Sequence, residues 1–204
     1  MKPLADSKTR LSDRLTPDQR GDLAIGMLRR VLEAVRGAAV EPIWVVGGDR
    51  RVREEAEAGR GHWMEELGSD LNDTLSRAFD LAFNLHRGAL YLPGDLPFLK
   101  AADVHSVLDS SRRQNNITLA PARRDGGTNA ILVPQGIPFR PELGPQSFTR
   151  HLARAAELEV SVAICHSPGL GLDLDVPDDL DTAQRTEPDF LEQMLPVLGS
   201  ADSQ

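Results

Sequence analysis

Among its 204 residues the chain has a single cysteine, Cys165, which excludes an intramolecular disulfide and a cysteine-built zinc site. No apolar run approaches the length needed to span a bilayer, and no charged-then-apolar leader opens the sequence. The expected compartment is therefore the cytoplasm, with no membrane partner. Basic residues are outnumbered, giving a formal net charge of −8, and nothing builds a basic stripe, which argues against a nucleic-acid partner. Several catalytic signatures are missing as well. There is no P-loop ending in Lys-Ser/Thr and no GxGxxG after a strand, and "GGDRR" is too weak to count. His62, His86, His105, His151 and His166 lack metal-ligand spacing and read as structural or surface residues. No nucleophile elbow supports Ser/His/Asp catalysis. Cys165 ends an apolar strand and reads as a small buried hydrophobe.

What remains is an ordinary globular composition, 40% hydrophobic and 26% charged, sized for one domain over 1–185 with a tail over 186–204. Within that tail "FLEQML" is able to dock as a helical turn. Thr16, Pro17 and Gln19 mark a helix start, and Leu23, Met27, Val31 and Val35 form an apolar stripe behind it. "PIWVVGGD" predicts a strand, "HWMEE" another, and "SDLNDTLSRAFDLAFNL" a helix with Leu71, Leu75, Phe79 and Phe83 on one face. Downstream, "ALYL", "ITLAPA", "NAILVP", "VSVAIC" and "LDLDV" predict strands. Helices are predicted over "AADVHSVLDSSRR", "PQSFTRHLARAAEL" and "DDLDTAQR". Strands alternating with helices imply an α/β fold with a mostly parallel sheet covered on both faces. Ligands in such sheets bind outside the carboxyl ends of the strands.

Asp95 sits at one of those ends, where "ALYLPGDLPFL" leaves its apolar strand. "GLGLDLDVPDDLD" carries five aspartates. In an extended segment Asp173 and Asp175 share a face while Leu174 packs oppositely. They read either as a chemical pair or as solvated strand carboxylates. Asp178, Asp179 and Asp181 follow Pro177 and suit the positive end of a helix dipole. If the strand ends are neighbours, Asp95, Asp173 and Asp175 meet, and three carboxylates need a cation between them. A hard ion with oxygen ligands, Mg²⁺ bridging phosphates, answers that need. In "RDGGTNAIL" Gly126 and Gly127 allow close backbone approach and Thr128 offers a hydroxyl. Ser147 in "GPQSFTRH" reads as an anion site at a helix start or as a plain cap, with Arg150 and His151 as sources of positive charge. Lys2, Lys8 and Arg10 lie within nine residues and form either a small-anion loop or a solvated terminus.

Taken in order, "KPLADSKTRLS", "GSDLNDTL", "GDLPFL", "GGTNAIL", "GPQSFTRH" and "LDLDVPDDL" resemble the CofC/FbiD-type guanylyltransferases of coenzyme F420 biosynthesis, over nearly the whole chain to about 185. The resemblance implies a three-layer, Rossmann-like nucleotidyltransferase (GT-A-like) fold. It implies that GTP and a phosphorylated three-carbon acid give a guanylylated diphosphate and pyrophosphate, the acid being phosphoenolpyruvate, 2-phospho-L-lactate or 3-phosphoglycerate. Phosphoenolpyruvate is the expected acceptor, and the protein a monomer or homodimer. Asp95, Asp173 and Asp175 match the family's Mg²⁺-binding carboxylates, with Asp95 also catalytic. Thr128, Gly144 and Ser147 match acceptor-holding positions. Lys8 and Arg10, which the resemblance also makes catalytic, fall in the loop that resembles the GTP-phosphate loop, and Asn72 in the stretch expected near the nucleoside. In this family a strand precedes the "KPL" loop, whereas here Met1 stands directly before Lys2. Either the true start lies upstream or the sheet lacks a central strand. Rival readings are a molybdopterin guanylyltransferase-like enzyme, a sugar-nucleotide glycosyltransferase on a similar sheet, and a non-catalytic nucleotide-binding regulatory module.

Overall fold

The computed structural model describes residue 4, residues 7–112 and residues 116–195. Helices and strands alternate along most of the chain, an α/β organisation. The chain divides into two compact units, one of Met1–Glu65, Gly94–Pro97 and Asp173–Gln204, the other of Glu66–Pro93 and Phe98–Leu172. Met1 and Lys2, on which the expectation of a missing first strand turns, lie outside the described residues.

The first unit opens its regular structure with α1 (Pro17–Gly37), which starts where local chemistry dictates. Thr16 Oγ1 accepts from the Gln19 backbone at 3.3 Å, and Gln19 Oε1 accepts from the Thr16 backbone at 2.9 Å. Leu23, Met27, Val31 and Val35 are all buried, as their spacing predicts. Strand β1 (Trp44–Val46) pairs parallel with β2 (His62–Met64), joined by α2 (Arg50–Ala58). Helix α2 has no counterpart among the sequence expectations. Its start is set by Asp49, whose carboxylate accepts from the backbones of Arg51 at 2.9 Å and Val52 at 3.3 Å. Gly48 makes the turn before it at φ 90°, and a Cβ there would fall 2.7 Å from the Val52 side chain. Leu4, Ile25, Leu28, Val45 and Val52 form the core between these elements.

The same unit closes with α6 (Pro177–Thr186) and α7 (Phe190–Met194). Phe190 and Met194 are buried, and Met194 lies so close to α1 that a Cβ on Gly26 would be 2.6 Å from its sulfur. "FLEQML" thus docks as the sequence allows, while residues from 196 onward lie outside the described part. "LDLDV" is not a strand. The backbone N–H groups of Asp175 and Val176 both donate to Asp179 Oδ2 at 2.9 Å, so they cap α6 and leave no ladder to form.

The second unit contains α3 (Leu71–Asn84), β3 (Ala89–Tyr91), α4 (Ala101–Arg112), β4 (Ile117–Pro121), β5 (Thr128–Val133), α5 (Ser147–Glu157) and β6 (Val162–Ile164). Its sheet runs β3-β5-β4-β6. Strand β5 is antiparallel to both neighbours and only β4–β6 is parallel, so the sheet is mixed, not mostly parallel. The connection from Pro121 to Thr128 is too short for a crossover, and adjacent strands joined by a short turn must pair antiparallel. On α3, Leu75 and Phe79 are buried, but Leu71 is 55% exposed and stands off the apolar face. No helix among the described residues is long and apolar enough to cross a membrane.

Candidate functional site

Two clusters gather the residues singled out by sequence, one in each unit. In the first unit Leu11 is fully buried and anchors the loop that carries Lys8. Arg20 donates to Ser7 O at 3.3 Å and Leu15 O at 3.1 Å, holding both flanks of that loop. Leu4 N donates to Asp49 Oδ2 at 2.9 Å. Burial raises the Asp49 pKa, but these backbone N–H donors and the Arg51 charge outweigh it and hold the carboxyl below its ordinary value. Lys8 itself adopts the left-handed conformation, φ 49°, which directs the chain into a short turn over Thr9–Leu11. A non-glycine residue held there carries backbone strain of the kind that clusters at functional sites.

The Lys8 ammonium lies 2.6 Å from Asp95 Oδ2 and 2.8 Å from Asp175 Oδ1, with 8% of its side chain exposed. Burial is the largest influence on its pKa and lowers it. The charges of Asp95 and Asp175 and their hydrogen bonds more than offset this, so the pKa is raised and the amine stays protonated. Leu174 N donates to Asp95 O at 3.2 Å, which fixes the 173–175 segment beside Asp95. Leu174 is fully buried while Asp173 and Asp175 are half-buried, the alternation expected of an extended pair. Arg10 is exposed.

The expected convergence of three carboxylates is only partly met. Asp95 and Asp175 come together on Lys8, but among the described residues no three His, Cys, Asp or Glu side chains gather closely enough to hold a metal ion. The Lys8 ammonium stands between the two carboxylates and offsets part of their charge. The donor set nevertheless fits a hard divalent ion. Asp95 and Asp175 are oxygen ligands, and Asp95 Oδ1 is buried with no hydrogen-bond partner among the described residues, an acceptor that a cation would satisfy.

In the second unit the hairpin turn between β4 and β5 is closed by Ala122 N donating to Gly127 O at 3.0 Å and by Gly127 N donating to Asp125 Oδ1 at 2.8 Å. Gly126, at φ 70°, is covered by Gln146, whose Oε1 would lie 2.7 Å from any Cβ there. This brings the start of β5 against the start of α5. Thr128 Oγ1 and Ser147 Oγ are 3.1 Å apart, and Ser147 N donates to Gly144 O at 3.1 Å, so Thr128, Gly144 and Ser147 form one cluster. Ser147 is the first residue of α5, not its cap, which is Gln146. The N–H groups of Ser147 and Phe148 are taken by Gly144 O and Gly126 O, so the first turn is less open to an anion than the sequence suggests.

Asn72 is clasped to Leu143: its Nδ2 donates to Leu143 O at 3.1 Å and its Oδ1 accepts from Leu143 N at 2.7 Å. His151 is fully buried, with Nδ1 3.0 Å from Thr128 Oγ1, Nε2 accepting from Glu142 N at 2.8 Å, and the Phe139 ring at 5.6 Å between centroids. Burial first, then the Arg150 charge, lowers its pKa to about 4. The expectation of His151 as a positive charge is therefore corrected to a neutral imidazole. Its importance is missed by motif spacing, and the one signal present is its position four residues after Ser147 on the same helix face.

The family model described as "Guanylyl transferase CofC like" matches residues 1–183. Among curated proteins the chain is 37% identical to a phosphoenolpyruvate guanylyltransferase of Rubrobacter xylanophilus, covering 88% of each. It is 35% identical to a 3-phospho-D-glycerate guanylyltransferase of Phenylobacterium zucineum, over 85% of this chain and 82% of the other. Among solved structures it resembles a CMP:2-keto-3-deoxy-manno-octonic acid synthetase complexed with CTP, with a TM-score of 0.52 at 14% identity, over 80% of this chain and 88% of that one. At that identity the likeness speaks for the fold alone.

Proposed function

The chain belongs to the CofC-like guanylyl transferase family, and from that premise we propose that it transfers GMP from GTP to the phosphate of a three-carbon acid, in coenzyme F420 biosynthesis. Phosphoenolpyruvate is the acceptor we favour, supported by the name of the Rubrobacter relative. The three-layer, Rossmann-like arrangement and a cytoplasmic setting, where GTP and Mg²⁺ are supplied, belong to the same reading. The observation that carries it is the Lys8 ammonium seated between Asp95 and Asp175.

In the reaction an oxygen of the acceptor phosphate forms a bond to the α-phosphorus of GTP. The bond from that phosphorus to the bridging oxygen breaks, and its electron pair leaves with pyrophosphate. The acceptor is already an anion, so no strong general base is required. The obstacle is repulsion between two polyanions, and catalysis is mainly positioning and charge neutralisation. Lys8 and Arg10 supply fixed positive charge to the triphosphate. Thr128, Gly144 and Ser147 hold the acceptor, and Asn72 serves the nucleoside side. A magnesium ion held by Asp95 and Asp175, with Asp173 beside them, would supply charge against that developing on the phosphate.

The test is pyrophosphate release by purified protein given GTP, ATP or CTP, Mg²⁺, and each of phosphoenolpyruvate, 2-phospho-L-lactate and 3-phosphoglycerate. Release that needs GTP and one of the acids, and that stops when EDTA removes the metal, supports the proposal. Nucleotide binding without turnover, or transfer to a pterin or sugar instead, rejects it.

A further inference from the structure

His151 is fully buried at the acceptor cluster, yet the reaction above gives it no part. Its hydrogen bonds determine where its proton must be. The Glu142 backbone N–H can only donate, so Nε2, at 2.8 Å, carries no proton. A neutral ring then has its proton on Nδ1, and Nδ1–H donates to Thr128 Oγ1 at 3.0 Å. Thr128 uses one acceptor position in this way, and its hydroxyl and that of Ser147 share one further hydrogen bond of 3.1 Å in which either can donate. In either direction one hydroxyl proton of the pair is left without an acceptor among the described residues, at residues 5% and 1% exposed. A buried donor without a partner is costly, and an anionic oxygen removes that cost. The alternative protonation state is disfavoured by the same geometry, because an imidazolium would point Nε2–H at the Glu142 N–H. The low pKa of the ring agrees with this.

We infer that His151 is a positioning residue for the acceptor: it orders the Thr128–Ser147 hydroxyl pair so that the pair offers its remaining proton to an anionic oxygen of the acid, while its other nitrogen fixes the backbone that leads to Gly144. The inference rests on the acceptor role proposed for Thr128, Gly144 and Ser147. Its chemistry is specific. The site takes an oxyanion as a hydrogen-bond acceptor, and the ring contributes through direction and not through charge.

Two measurements on the full chain test it. Nuclear magnetic resonance of heavy-nitrogen-labelled histidine at neutral pH is expected to show the His151 ring neutral with its proton on Nδ1. A proton on Nε2, or an imidazolium, overturns the inference whatever the enzyme turns over. The second compares His151→Asn with His151→Gln, following pyrophosphate release at saturating GTP with the acid varied. Asparagine places an amide N–H near the former Nδ1–H, whereas glutamine reaches toward the former Nε2 and leaves Thr128 without its donor. The asparagine variant is expected to keep the KM for the acid within about threefold, and the glutamine variant to raise it about tenfold or more, with the KM for GTP unchanged in both. Equal rises in both variants, or a rise for GTP instead, mean general structural damage and overturn it. Absence of release by the unsubstituted protein with every acid rejects the guanylyl-transfer reading and the inference with it, a result distinct from a wrong tautomer.

Discussion

Asn72 and Leu143 hold each other through two reciprocal hydrogen bonds of 3.1 and 2.7 Å across a separation of 71 residues. The amide pins the backbone just before Gly144. Asn72→Ala leaves both Leu143 groups unpaired, at about 1 kcal/mol for each bond. For a chain of this length that lowers the melting temperature by roughly 4–8 °C. A calorimetric Tm unchanged from the unsubstituted protein would free the amide from this structural role and leave it to the nucleoside alone.

Asp95 meets Lys8 at 2.6 Å, and its other oxygen is buried with no hydrogen-bond partner among the described residues. Asp95→Asn preserves the size of the side chain and removes its charge. Turnover is expected to fall at least about a hundredfold, the scale of losing one strong electrostatic contact. Pyrophosphate release near the normal rate, with an unaltered circular dichroism spectrum, excludes Asp95 from the chemistry.

The neutral state of His151 makes stability depend on pH. Its pKa is about 4 when folded and 6.5 as the ordinary value. Between those values the unfolded chain binds the proton and the folded chain does not, so stability rises with pH there and is lost as pH falls from about 6.5 to about 4. The full effect is up to about 3 kcal/mol. The ring meets Thr128 on β5, the Phe139 ring and the Glu142 backbone, and the Arg150 charge acts on it from the same helix. Denaturant titrations across this window should show the slope in the unsubstituted protein and a flatter line in His151→Gln. Parallel lines would contradict the assigned protonation. Asp49 has the opposite charge chemistry but the same sign: its depressed pKa gives stability that is lost only below the ordinary carboxylate value of 3.8.

Phe190 on α7 is fully buried, with the Arg30 guanidinium carbon 5.4 Å from its ring centroid. Arg30 also donates to Glu187 at 2.8 Å and to Pro97 O at 2.8 Å. Phe190→Ala should cost about 3–5 kcal/mol and lower Tm by roughly 6–20 °C. A change of only a degree in a thermal scan would show that α7 adds nothing to the stability of α1.

Much of this protein is legible in the sequence because the relevant physics is local. The Thr16–Gln19 capping pair and the Leu23, Met27, Val31 and Val35 stripe need only neighbours within a helix, and both appear as expected. Family membership is legible for a different reason: six short motifs occur in the right order. Asp179 shows the limit. Its acidic neighbourhood marks a helix start, but the diversion of the Asp175 and Val176 N–H groups, which prevents a strand at "LDLDV", follows only from the cap geometry.

Tertiary structure alone decided the charge pairing and the state of the imidazole. Lys8 reaches partners 87 and 167 residues away, and no pattern of local spacing encodes which cation stands between two distant carboxylates. The same holds for His151, whose type permits either charge. Burial and a single backbone N–H at Nε2 select the neutral form. Sequence determined the elements and the residue types, since periodicity and capping act over a few residues. Folding determined the partners, since Coulomb and hydrogen-bond energies depend on distances that only the packed chain sets.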